Sequence, residues 1–188
     1  MILGGFIMNE FKQPNPVFWM PFFIEPIDVD KLEFKEEPNY KPTFISRTPT
    51  TMEEDCLTDE SYNYLGRLIW ECIGQYTDKS FFIGSVWRNK YGKTDWQDPH
   101  IHSGAQWSFV IYVDVEESKT VFLSPSRHNQ MNQWGYLGDA FPLDFSPKVS
   151  PGNIIIFPSF IEHFVPPGNE GITISGNIYY DQPPGGPV

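Results

Sequence analysis

Apolar residues keep a helical period in one stretch of the chain and a strand-like grouping almost everywhere after it. Leu65, Leu68, Ile69, Cys72, Ile73 and Tyr76 recur at three-and-four spacing, which lines one face of a helix. Thr58 or Asp59 can cap its start, because a short oxygen-bearing side chain accepts from the free amides of a first turn, and Gly74 sits near its end. Beyond residue 80, Phe81 to Asn89, Gln106 to Val115, Thr120 to Leu123, Asn153 to Phe157, His163 to Val165 and Gly171 to Tyr180 are rich in Val, Ile, Phe, Tyr and Thr, with turn residues between them. The pattern predicts a mainly β fold with an N-terminal helical element, its strands forming a barrel or sandwich on which the helix packs.

The first fifty residues read differently. Pro14, Pro16, Pro21, Pro26, Pro38, Pro42 and Pro49 break any helical period and leave short extended pieces draped over a core, of which Phe18 to Ile24 is a candidate edge strand. Lys90 to Pro99 and Ser126 to Pro142 read as long connections that carry Trp96, Arg127, Trp134 and Tyr136, and long loops with such side chains are more often binding loops than idle linkers. The tail from Pro183 to Pro187 cannot form a ladder. One domain over 1–188 is expected: 1–79 supply extended segments and the supporting helix, 80–182 the barrel core and 183–188 a tail.

Composition narrows the partners. A net charge of -11 disfavours a nucleic-acid surface, because affinity for phosphate backbones depends on Lys and Arg displacing counterions, and the thirteen basic residues form no cluster. Two cysteines, Cys56 and Cys72, are too few for a disulfide framework, and Cys72 falls on the apolar stripe of the helix, where a thiol behaves as a small hydrophobe. The apolar start Met1 to Met8 lacks the basic flank and cleavage site of a signal peptide, and no apolar run approaches the length of a membrane span. A soluble, cytoplasmic protein is expected, and a homodimer is compatible with the pattern.

The chain holds four histidines, and three of them lie at the ends of apolar runs. His100 and His102 are one residue apart in Asp98-Pro99-His100-Ile101-His102, and His163 follows Phe157-Pro158-Ser159-Phe160-Ile161-Glu162. If Ile101 is in a strand, both flanking imidazoles point to one face and can reach a single metal ion, which His163 completes. Asp98, two residues before His100, is an alternative oxygen ligand, although Pro99 makes a regular strand there doubtful. Neutral imidazole suits iron as well as zinc, so spacing alone does not choose the metal. His128, in a polar loop, reads as a surface histidine, and Glu162 as a solvated residue turned away from His163.

Several motifs stand in a fixed order: Trp87-Arg88-Asn89, His100-Ile101-His102-Ser103-Gly104-Ala105, Ser108-Phe109-Val110-Ile111-Tyr112-Val113, Pro151-Gly152 through Phe157-Pro158-Ser159 to His163, and Ile172-Thr173-Ile174-Ser175-Gly176-Asn177. In that order they resemble the iron(II)/2-oxoglutarate-dependent oxygenase superfamily, and in particular its HxH-type branch common in marine bacteria and tailed phages. The resemblance covers about the second half of the chain. It implies a double-stranded β-helix core of the jelly-roll or cupin-like kind, with Fe(II), 2-oxoglutarate and dioxygen reacting to hydroxylate a small molecule or a peptide side chain. It further implies His100, His102 and His163 as metal ligands and catalytic centre, Tyr112, Arg127, Ser175 and Asn177 as co-substrate contacts, and Asn89 and Trp134 as residues facing the substrate.

The chain departs from the superfamily pattern in two places. His102 stands where most members carry an Asp or Glu ligand, and three neutral ligands leave the iron with more net positive charge. The Arg or Lys that usually follows the distal histidine and pairs with the far carboxylate of 2-oxoglutarate is missing from Glu170-Gly171-Ile172-Thr173, which leaves Arg127 as the nearest substitute by sequence. A cupin-like three-histidine metalloenzyme that needs no 2-oxoglutarate, and a metal-free β-barrel binding module, remain open as rival readings.

Overall fold

The computed structural model of the chain describes residues 20–43, 46–51, 56–115, 118, 120–133 and 142–180. Nine strands form two antiparallel sheets among these residues. They are β1 (Phe23–Pro26), β2 (Phe81–Tyr91), β3 (Gln97–His100), β4 (Trp107–Tyr112), β5 (Val121–Leu123), β6 (Asp144–Phe145), β7 (Asn153–Pro158), β8 (His163–Val165) and β9 (Gly171–Tyr180). The larger sheet runs β1-β7-β4-β9-β2 and the smaller β3-β8-β5-β6. The mainly β fold class expected from the sequence is the observed one.

Helix α1 (Asp59–Ile73) starts where the sequence predicts: the Thr58 hydroxyl accepts from the Ser61 amide and Gly74 closes the other end. Its stripe of Leu65, Ile69 and Ile73 is fully buried. Cys72 lies on the same stripe, and burial, with smaller help from Glu25 and Glu71, pushes its thiol up to about 11. The reading of Cys72 as a small hydrophobe therefore holds.

Strand alternation divides the core into two layers. On β4 and β7, Phe109, Ile111, Ile154 and Ile156 join the helix stripe in one cluster, while Tyr112, Ile155 and Phe157 join Phe122 and Ile161 in the other. Each of these large side chains contributes about 1.5–3 kcal/mol by leaving water. The larger sheet is thus apolar toward α1. Toward the smaller sheet it presents the odd-numbered positions of β9, those of β2 from Trp87 on, past a register shift between Ile83 and Val86, and the even-numbered positions of β4; these include Trp87, Asn89, Ser108, Thr173, Ser175 and Asn177.

Four local expectations shift. The edge strand is Phe23–Pro26, paired with β7, and overlaps the expected Phe18 to Ile24 only at Phe23 and Ile24, with Phe18 and Trp19 outside the described residues. β3, with Pro99 inside it, starts within a segment expected to be a connection, β6 forms where no strand was expected, and a second helix, α2 (Arg127–Gln133), forms within the polar connection. Pro99 is accommodated by a register break: β3 pairs with β8 only at Gln97 and His100. No helix among the described residues is long and apolar enough to cross a membrane.

Candidate metal centre

The three histidines converge. His100 ends β3 opposite His163, the first residue of β8, so cross-strand pairing alone brings two of the rings together. His102 lies beyond the strand, not within it, and is held there by its main-chain amide, which donates to the Ser159 carbonyl at 3.0 Å. The expected strand through Ile101 is therefore absent, yet its consequence survives, because this tie turns His102 to the same side. Ring centroids are 4.3 Å apart for His100 and His163, 5.1 Å for His102 and His163, and 5.4 Å for His100 and His102. One ligand nitrogen of each lies within 4.8 Å of the others, close enough for a single cation to draw them in. Asp98 is not part of this group; its main-chain carbonyl instead accepts from the His100 ring.

Hydrogen bonding settles which nitrogen each ring offers. Nδ1 of His100 donates to the Asp98 carbonyl at 2.7 Å, Nδ1 of His163 to the Ile161 carbonyl at 3.0 Å, and Nδ1 of His102 to Oδ1 of Asn177 at 2.7 Å. With Nδ1 carrying the proton, Nε2 keeps its lone pair for a metal, and the ring orientation is fixed before any ion arrives. Asn177 is itself tied: the Ser108 hydroxyl donates to its Oδ1 at 3.1 Å and lies 2.7 Å from the Ser159 hydroxyl.

Burial keeps His102 and His163 neutral. His163 is 3 % exposed, and burial, then the neighbouring His100 and His102, holds its pKa well below 6.5. Burial also pulls His102 down to about 4, with His100 adding to the fall and the Asn177 bond opposing it. An uncharged imidazole is the form that binds a metal, so the donor set fits a divalent transition ion, with no carboxylate among its three members.

A cleft of about 400 Å³, counted with the solvent at its mouth, opens from these rings between the sheets. Trp87, Val110 and Val165 give it apolar walls, and Thr173 and Ser175 line it with hydroxyls. Asn89 stands behind that wall, buried at 2 % exposure, and its Nδ2 donates to Thr173 Oγ1 at 3.2 Å and to Ser175 Oγ at 3.1 Å. Tyr112 is fully buried, its hydroxyl 3.1 Å from that of Thr120.

Among the described residues, Arg127, Asn177 and His128 do not line the cleft. Arg127 points to Glu162, with Nη2 and Oε2 3.3 Å apart, so Glu162 is paired rather than merely solvated. Asn177 holds a histidine. His128 is exposed, and Trp134 lies outside the described residues. Sequence reasoning missed Ser108 and Ser159, whose place in the network depends on the register of β4 against β7 and β9, and Tyr91 and Gln97, which line the cleft from β2 and β3. The alternation of Trp87, Asn89 and Tyr91 was the available signal for the tyrosine.

Residues 85–177 match the model of the family described as "Putative 2OG-Fe(II) oxygenase". Among solved structures, an oxidoreductase of the 2OG-Fe(II) oxygenase family from Burkholderia pseudomallei is 15% identical with a TM-score of 0.50, over 76% of this chain and 73% of its own. HygX from Streptomyces hygroscopicus, solved with nickel, 2-oxoglutarate and hygromycin B bound, is 10% identical with a TM-score of 0.50, over 85% of this chain and 83% of its own. At these identities the structural likeness speaks for the fold, the double-stranded β-helix of the oxygenases. No curated protein matches the chain.

Proposed function

We propose that this chain, related to the 2OG-Fe(II) oxygenases by family match and by fold, is a non-heme Fe(II)- and 2-oxoglutarate-dependent dioxygenase that hydroxylates a small molecule or a peptide side chain. One observation carries the reading: three imidazoles from two separate segments meet at a point, each with Nδ1 already committed to an acceptor. His100, His102 and His163 would hold the ion through Nε2. Bound there, Fe(II) would supply the redox chemistry that couples dioxygen to decarboxylation of a 2-oxo acid and oxidation of the substrate.

The chain's own part is geometric. Asn177 and the Asp98 and Ile161 carbonyls hold the imidazoles aligned. Trp87, Val110 and Val165 shield the cleft from water, and Ser175 and Thr173, backed by Asn89, present hydroxyls to a bound 2-oxo acid. Tyr112 shapes the inner end from behind Thr120. The connection that carries Trp134 faces the substrate in this reading.

Anaerobic loading with Fe(II), metal analysis, and succinate measurement with 2-oxoglutarate and air test it. One ion per chain and succinate formation are expected. His163→Ala should lose the ion while its far-UV circular dichroism stays that of the parent, and unchanged metal content in that variant would refute the ligand assignment. An ion bound without succinate would favour the cupin-like three-histidine enzyme, and no ion at all the metal-free binding module.

A further inference from the structure

The register of the larger sheet gives the cleft a direction. Ser108 faces Asn177 at the histidine end, Val110 faces Ser175 next, and Tyr112 faces Thr173 farther in. Four residues along β9 from Asn177 to Thr173 cover about 13 Å. Toward that inner end the cleft is lined by Tyr91, Gln97, Thr120, Asn169, Thr173 and Ser175, and among the described residues that line it there is no lysine or arginine.

Four cations among the described residues near the cleft have partners elsewhere. Arg88 and Lys90 sit on β2 between the inward-facing Trp87, Asn89 and Tyr91, so alternation turns them to the other face, where Arg88 lies 3.9 Å over the Phe34 ring and Lys90 6.0 Å over the Tyr40 ring. Arg127 meets Glu162, and Lys93 lies 3.7 Å from Glu170.

The neutral groups, by contrast, are set up to donate. Because Asn89 donates to both Thr173 and Ser175, neither hydroxyl spends its proton on Asn89; Thr173 also lies in hydrogen-bond reach of Tyr91, and the Ser175 proton is left for another acceptor. Tyr91, 5 % exposed, is kept in its phenol form by burial and donates to Gln97 at 2.7 Å. A carboxylate brought among such groups loses its hydration and meets no opposite charge, so its hydrogen bonds alone must offset the cost of burying the charge. An uncharged polar group meets the same donors without giving up a charge's hydration.

We propose that the inner end of the cleft recognises the tail of a 2-oxo acid by neutral hydrogen bonds from Thr173 and Ser175, so that a 2-oxo monoacid with an uncharged polar tail binds at least as well as 2-oxoglutarate. The inference rests on the metal-centre reading above. The pair to compare is 2-oxoglutarate and its 5-methyl ester, titrated anaerobically into the Fe(II)-loaded protein and followed by thermal shift and by quenching of tryptophan fluorescence, Trp87 being part of the cleft wall. The expected dissociation constant of the ester is equal to or below that of 2-oxoglutarate, and the double variant Thr173→Val, Ser175→Ala weakens the ester by about tenfold with the metal content unchanged. Binding of 2-oxoglutarate ten times tighter than the ester, or an ester affinity indifferent to the double variant, overturns the inference while leaving the oxygenase reading in place. An ion bound with neither 2-oxo acid bound overturns both.

Discussion

At the scale of single residues, the candidate centre is made by the partners of the histidines as much as by the histidines. His100 and His163 each rest Nδ1 on a main-chain carbonyl two residues earlier, Asp98 and Ile161, an arrangement that no side-chain substitution removes directly. His102 differs, since its acceptor is the Asn177 side chain, 75 positions away in sequence. Asn177→Ala should therefore loosen one ring of three and lower metal affinity by about 10–100-fold, as loss of outer hydrogen bonds to a ligating histidine generally does. Competition with a chromophoric chelator measures the effect. An unchanged affinity would mean that Ser108, 3.0 Å from the same nitrogen, orients the ring without help.

At the scale of elements, β9 carries three duties on alternate residues. Thr173, Ser175 and Asn177 face the cleft, while Ile174 and Ile178 face the helix layer with Gly176 between them. A Cβ built on Gly176 would lie 2.4 Å from Cζ of Phe109 and 2.8 Å from the Ser85 carbonyl oxygen, so only glycine lets β2, β4 and β9 close up there. Gly176→Ala should cost about 1–3 kcal/mol, read from the urea midpoint, because Phe109 is fully buried and has little room to move. A midpoint within error of the parent would show that the sheet absorbs the methyl group. The same alternation explains what was legible in the sequence. β7, β8, β9 and α1 show themselves because apolar period, turn residues and cap agree, and the histidines because they end such runs. β3 is hidden by Pro99, which reads as a turn although one register break accommodates it, and α2 by a polar sequence that lacks an apolar period. The Ser108, Ser159 and Asn177 network could not be read, since it depends on which residues face one another across β4, β7 and β9. Asn177 was visible as a polar residue in a strand, but its role as a histidine partner comes from pairing.

At the scale of the whole molecule, the histidines come from the smaller sheet and the turn beyond it, whereas the groups that align His102 come from the larger one, so the centre bridges the two layers. Folding therefore buries at least two imidazoles as neutral bases, and this ties stability to pH. Above pH 6.5 neither the folded nor the unfolded chain protonates them. As pH falls from 6.5 toward 4 the unfolded chain takes up a proton at each, while His102, lowered to about 4, and His163, lowered further, stay neutral in the folded protein. The unfolded state then binds more protons, and stability declines by on the order of 1 kcal/mol per pH unit for each such histidine. Carboxylates add their own titration at the acid end, so the decisive quantity is a difference between proteins. Urea midpoints of the metal-free protein at pH 7, 6 and 5 should fall more steeply than those of His102→Gln, which cannot take up the proton in either state. Parallel curves would show that burial of His102 costs its charged form little. A saturating divalent ion should also offset the loss while the imidazoles hold it, because an ion at about a hundred times its dissociation constant stabilises the folded state by about 2.7 kcal/mol.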